Sequence, residues 1–251
     1  MELYKSGLSL QKISSLVGIP RETVRISLHR LGVKMRHELP VYCAPRPVLD
    51  PDSALLLGLH AGDGWISDKW GIAVHSTDTK MVIEVIGLVR SVLAVEPGVS
   101  INKDHVTAIW SAKRQAIDYF LRYGFPAGKK SAIVAAPRSI FASSLEVKRA
   151  FLRGLFSADG CFYKEGLRGE CRFDVASLTL RNDFVTLASD LGFEHRCYSY
   201  THRGGHNKLP LHTAYLGRQT EVKRWMEEVG SICDSHMDKF RNLMESIQGS
   251  P

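Results

Sequence analysis

One nine-residue phrase occurs twice. Leu56-Leu57-Gly58-Leu59-His60-Ala61-Gly62-Asp63-Gly64 returns as Leu152-Arg153-Gly154-Leu155-Phe156-Ser157-Ala158-Asp159-Gly160. A long-period repeat constrains a chain more than local propensity does, because each copy is a unit that has to bury its apolar face against a neighbour. The segments after each copy recur too. A strand pair is expected at about 65–76 and 161–177, then a helix at 79–94 and 180–191. A second strand pair is expected at 99–111 and 195–217, then a helix at 113–123 and 218–229. The expected fold class is α+β: two pseudo-symmetric αββαββα halves, 53–143 and 144–251, packed through the repeated helices, with antiparallel hairpins.

Within each copy small residues sit four apart, Gly58 with Gly62 and Gly154 with Ala158. Positions i and i+4 share a helix face, so both helices carry a smooth stripe along which two backbones can approach. Packing the stripes together places Asp63 and Asp159 side by side at one end of the pair. That end is unfavourable for a carboxylate, since a helix C-terminus carries partial negative charge and the two acids also repel. A cation resolves the conflict. Few, all-oxygen ligands suit Mg²⁺, which keeps waters and binds phosphate, with Mn²⁺ as a substitute. Paired carboxylates of this kind suit metal-assisted phosphodiester hydrolysis.

The two motifs, with the run Ser144-Leu145-Glu146-Val147-Lys148-Arg149-Ala150-Phe151 leading into the second, resemble the LAGLIDADG homing endonucleases in their monomeric, two-motif form. The resemblance spans roughly 53–247. It implies site-specific double-strand cleavage of DNA, one strand per half. It implies that Asp63 and Asp159 bind divalent metal together with the carbonyls of Gly62 and Ala158. It also implies a lysine near each scissile phosphate, at Lys130 in Gly128-Lys129-Lys130-Ser131 and at Lys239 in the second half, to stabilise phosphoryl charge or orient the attacking water. The first motif departs from the family pattern at His60-Ala61-Gly62 but keeps its acid.

Net charge is +7, and the first 36 residues hold seven Lys and Arg against Glu2 and Glu22. A basic excess points to a polyanion. Here it coincides with a pattern: Leu10, Ile13, Leu16 and Val17 at helical spacing, a break at Gly18-Ile19-Pro20, then a helix at about 20–31 with Val24, Leu28 and Leu31 inside and Gly32 closing it. Residues 1–36 resemble a helix–turn–helix of resolvases and bacterial regulators, which implies major-groove contacts from Arg21, Thr23, Arg25 and Arg30. Four prolines mark 37–52 as an extended tether.

Strand alternation nominates further DNA contacts: Lys69, Trp70, His75, Lys103, Lys164, Arg168 and Arg172. The basic, aromatic hairpin around Gly204-Gly205 adds Arg196, Tyr198, Tyr200, His202, Arg203 and Lys208. A one-residue slip would reverse any of these assignments. Zinc at His195, Cys197, His202, His206 and His212 fits no compact ligand spacing. The expected partner is double-stranded DNA, bound by a monomer. Five cysteines without a CxxC pair read as reduced thiols, and no stretch has the length of a membrane span, so a cytoplasmic or organellar-matrix protein is expected. Two alternatives stay open: a DNA-binding transcriptional regulator on an inactive nuclease scaffold, and an RNA-splicing maturase. Protein splicing is not expected, given Met1 and the ending Gly249-Ser250-Pro251.

Overall fold

The computed structural model describes residues 2–5, 10–33, 46, 48–67, 71–201 and 209–248. Two compact units divide at residues 42 and 43.

The smaller unit holds α1 (Glu2–Lys5), α2 (Leu10–Val17) and α3 (Arg21–Arg30). Tyr4, Ile13, Val24 and Leu28 form its core, with Leu10 and Val33 against it. Gly18 and Gly32 take positive φ at the ends of α2 and α3, as their positions in the pattern predict. The expectation of Leu31 on the inner stripe is corrected, and the helical spacing of Leu16 and Val17 does not bury them. Leu16, Val17 and Leu31 are exposed, because two short helices bury only one residue per turn between them.

The larger unit begins before residue 53. Arg46 N donates to Val92 O, and its guanidinium pairs with Asp50 at 2.6 Å. The last part of the expected tether is therefore docked. Asp50 accepts from Ser53 N as N-cap, Pro51 takes the first helical turn, and α4 runs Pro51–Asp63.

The first half continues with β1 (Gly64–Ser67), β2 (Gly71–Ser76), α5 (Thr79–Leu93), β3 (Gly98–Ile101), β4 (Thr107–Ser111) and α6 (Arg114–Arg122). A short α7 (Arg138–Phe141) leads into the second half: α8 (Leu145–Asp159), β5 (Gly160–Glu165), β6 (Arg168–Val175), α9 (Leu178–Asp190), β7 (Arg196–Tyr200), β8 (Leu211–Leu216) and α10 (Gln219–Glu228). Each half builds one antiparallel sheet with the same order, β1-β2-β4-β3 and β5-β6-β8-β7. A final helix, α11 (Asp234–Gln248), lies outside the expected pattern and packs on β5, with Phe240 edge-on to Phe162. Among the described residues no helix is long and apolar enough to cross a membrane.

Helices cover one face of each sheet. Ile66, Ile72, Val74 and Ile109 point into the first core; Phe162, Cys171, Phe173, Val175, Ala214 and Leu216 point into the second. Between the halves lie α4 and α8. Every residue from Ser53 to Ala61 is buried, which is why α4 is apolar nearly all round instead of amphipathic. At the crossing the glycines meet backbone reciprocally. A Cβ on Gly58 would lie 2.2 Å from Phe151 O, and one on Gly154 would lie 2.3 Å from Leu55 O.

The halves are also strapped to each other. Asp78 caps α5 through Met81 N at 2.9 Å, and its second oxygen accepts from Asp234 N, at the start of α11 in the other half, also at 2.9 Å. Ser177 caps α9 through Leu180 N and donates to Val134 O of the first half at 2.6 Å. The residue that caps the first helix after each hairpin thus reaches across to the opposite half's tail.

Candidate active site and nucleic-acid interface

The acids meet as the stripe argument requires. A Cβ on Gly62 would lie 2.5 Å from the Ala158 methyl and 3.2 Å from the Asp159 carboxyl. Both acids end their helices, and Gly64 and Gly160 follow in extended conformation, φ −81° and −83°. Neither glycine therefore serves as a left-handed cap. Glycine is required by contact instead: a Cβ at Gly64 would lie 2.3 Å from His60 Nδ1, and one at Gly160 would lie 2.2 Å from Phe156 O.

Burial and the charge of Asp159 push Asp63 up to about 7, against the pull of Lys130. Burial pushes Asp159 up to about 6, again against Lys130. Such displaced carboxyls mark a site that lacks its counter-charge. Lys130 supplies part of it. Its ammonium donates to the carbonyls of Ala61 and Gly62 at the negative end of α4 and lies in the field of both acids. Burial lowers its own pKa, while Asp159 and Asp63 hold it up. Its loop is pinned by Gly128 N on Ile66 O and by Val134 N on Lys130 O. Lys129 is exposed beside it, which fixes the register on Lys130.

The second half does not reproduce this. Lys239 sits exposed on α11, and its charge is felt by Cys161 and His236, not by the acids. Expecting a second lysine at the centre is corrected for a physical reason: the tail that should deliver it as a loop is a helix. The carbonyl expected as a metal ligand at Gly62 is bonded to Lys130, and Ala158 stands at the same level of α8.

His60 and Phe156 occupy equivalent positions. Phe156 packs edge-on to Trp225; His60 stacks on Phe120 at 3.9 Å. His60 is fully buried with both ring nitrogens unpartnered, and burial, then the charge of Lys130, holds it neutral. It serves as an aromatic filler, not a ligand.

The strand registers define the uncovered face of each sheet. In the second sheet it carries Cys161, Arg172, Tyr215 and Arg196 in one row and Asp174, Thr213 and Tyr198 in the next, with Arg168, Glu170 and Tyr200 beyond. Arg172 pairs with Asp174 at 2.7 Å and lies over the Tyr198 ring. The expected Arg168, Arg172, Arg196, Tyr198 and Tyr200 share this face. Lys164 does not: it lies on the same side as Phe162 and donates to Asn242 O and Ser246 Oγ of α11. In the first sheet His75 is on the uncovered face and Lys103 is in the exposed β3–β4 turn. Lys69, Trp70, His202, Arg203 and Lys208 lie outside the described residues, as does His206. Of the remaining zinc candidates, His212 bonds Ser199 and His195 is packed against Trp225; the described residues contain no cluster of three metal-binding side chains. Arg21, Thr23, Arg25 and Arg30 lie on α3, where Arg25 pairs with Glu22 at 2.6 Å. Sequence reasoning missed Trp65, Trp110 and Tyr215 on the open faces; their signal is their register with Ala73 and Arg172, which requires the pairing to be known.

Residues 146–230 match the LAGLIDADG-like domain. Among curated proteins, an A-type ATP synthase subunit of Pyrococcus abyssi is 26% identical over 145 residues, 58% of this chain but only 14% of that protein, so the chain spans a small fraction of that relative's length. Among solved structures, the homing endonuclease I-DmoI in complex with DNA and Mn is 17% identical, with a TM-score of 0.52 over 73% of this chain and 98% of that one. The N-terminal LAGLIDADG domain of DUF199/WhiA is 12% identical, with a TM-score of 0.52 over 75% and 85% of the two chains. A variant of I-SmaMI is 10% identical, with a TM-score of 0.52 over 80% and 92%. The chain carries the two-motif LAGLIDADG fold, with a LAGLIDADG-like domain in its second half.

Proposed function

We propose that the chain is a divalent-metal-dependent endonuclease that cuts double-stranded DNA at a specific site, with Asp63 and Asp159 as the catalytic acids. The observation that carries this is the meeting of two raised carboxyls beside a buried lysine, between two uncovered sheet faces. A stable scaffold has no use for two acids at helix C-termini; a site for a cation and a phosphate does.

The donor set fits Mg²⁺ or Mn²⁺: two carboxylates and nearby backbone carbonyls, without nitrogen or sulfur ligands. A bound divalent ion supplies charge neutralisation at the phosphoryl group and a more acidic water. Asp63 and Asp159 hold that charge and orient the phosphodiester between the halves. Lys130 stabilises negative charge on the phosphoryl oxygens from one side only, since Lys239 stays on α11. Arg172, Arg196 and the tyrosines of the second sheet position backbone and base edges. Residues 1–36 act as a separate helix–turn–helix DNA module through Arg21, Thr23, Arg25 and Arg30. The fold alone also suits a DNA-binding protein without nuclease activity; retention of both acids and Lys130 favours cleavage.

Cleavage of a randomised duplex library with Mg²⁺ or Mn²⁺ tests the reading and yields the site. Asp63→Asn and Asp159→Asn should each abolish double-strand cleavage while retaining binding. A variant that still cuts at the wild-type rate removes that acid from the mechanism.

A further inference from the structure

The two uncovered sheet faces differ in kind. On the second, a described arginine, acid or tyrosine stands in every row. On the first, one row runs Trp65–Ala73–Trp110–Gly98 and the next runs His75–Ala108–Ser100. Among the described residues of that face no side chain carries a fixed charge. Both indoles are partly open to solvent, Trp65 at 38% and Trp110 at 43%. The Trp110 ring lies over Gly98, where a Cβ would come within 2.4 Å of it, and Ala73 leaves the middle of the row low. The result is a flat apolar shelf. It starts in the strand that directly follows Asp63. Its rim carries both signs, Lys103 beside Asp104 in the β3–β4 turn and Lys113 after β4 in the cavity that Glu96 also lines.

We infer that the first half reads its half-site through the C5-methyl groups of thymine packed on Trp65, Ala73 and Trp110, while the second half reads its half-site by hydrogen bonds. This rests on the proposed DNA-cutting function and names how one side of it chooses sequence. In the major groove the thymine methyl is the one apolar group among base edges, and it is recognised by apolar contact. The described residues of this face hold no arginine to make the bidentate contacts that identify guanine, and they discriminate by burial. Rim lysines fix register on phosphates without adding sequence information.

The test uses the full chain and the duplex recovered from the library. A cleavage probe tethered at Asp104→Cys, in a chain carrying Cys197→Ser, marks the half-site under the first sheet. Deoxyuridine then replaces thymidine in one half-site at a time, removing only the methyl. Affinity should fall about fourfold per methyl in the first half-site, the value of one buried methylene-sized group, and stay nearly unchanged in the second. Trp65→Ala and Trp110→Ala, checked for fold by circular dichroism, should erase the thymine–uracil difference while keeping salt-dependent binding. A first half-site without thymine, equal tolerance of uracil in both half-sites, or tryptophan variants that still discriminate would each overturn the inference and leave the endonuclease reading standing. Tryptophan variants with unchanged DNA affinity but altered self-association would overturn it in favour of a protein contact. Failure to recover any duplex would overturn both.

Discussion

Asp78 offers a way to measure how firmly the two halves hold each other. Its Oδ1 caps α5 within the first half; its Oδ2 accepts from Asp234 N and from Cys233 Sγ in the second. Replacing a capping Asp by Ala costs about 1 kcal/mol. Leaving the start of α11 without its acceptor costs about 1 kcal/mol more, since that helix end is only partly solvated. Asp78→Ala should therefore lose about 2 kcal/mol, a fall in Tm of about 4–8 °C for a chain of this size. Asp78→Ser separates the two contributions. Serine caps a helix as well as aspartate does, as Ser177 does for α9, but it is too short to span the halves in this direction. It should cost about 1 kcal/mol, with faster amide exchange confined to the first turn of α11. Burial raises the Asp78 pKa, but bonds from Met81 N, Cys233 and Asp234 N outweigh it and hold the carboxyl below its usual range. A depressed folded pKa gives stability that is complete above the unfolded value and vanishes as pH falls through the folded one. The gap between wild type and Asp78→Ala should then narrow below about pH 4. Urea unfolding at several pH values reads all of this. A serine variant as stable as wild type, or a gap that widens in acid, would refute the strap.

Gly58→Ala should cost about 3 kcal/mol or more, because the new methyl meets Phe151 O and backbone cannot swing away; Gly87→Ala on α5, with open space around it, is the control and should be neutral or slightly stabilising in thermal melts. His60→Phe should stabilise by about 1–2 kcal/mol by removing two buried, unpartnered ring nitrogens from a ring that already stacks on Phe120; a clear loss would show that those nitrogens meet a partner. Because Asp63 and Asp159 titrate near about 7 and 6 when folded and near 4 when unfolded, the metal-free protein should lose stability as pH rises from about 4 to 7. Magnesium should consequently raise Tm more at pH 8 than at pH 5, and an equal effect at both would contradict the buried pair.

The parts of this molecule that were legible in the sequence are those in which the same constraint was written twice. Gly58 with Gly62, and Gly154 with Ala158, announced the helix crossing, and the acids followed from it. Lys130 was legible only through the family resemblance of Gly128-Lys129-Lys130-Ser131. Its counterpart was not, because nothing in Gly230–Arg241 signals that the loop of the first half is replaced by α11, and Lys239 went with it. Lys164 was misassigned because Cys161-Phe162-Tyr163 gives no alternation; only the pairing shows that Phe162, and hence Lys164, faces α11. Leu16 and Leu31 fit a helical stripe, yet periodicity cannot say whether a partner surface exists to cover them. Trp65 and Trp110 are far apart in the chain, and only the register through Ala73 makes them one surface.

The strap also has a consequence for synthesis. Asp78 emerges early, but its partner amide at Asp234 comes 156 residues later. At typical elongation rates that interval is about 10–30 s. Within it α4 stands exposed only until α8 is made, whereas one oxygen of Asp78 stays unclaimed until α11 begins. The two acids meet as soon as α8 is in place, but the clasp between the halves is timed by the ribosome and closes only when α11 arrives.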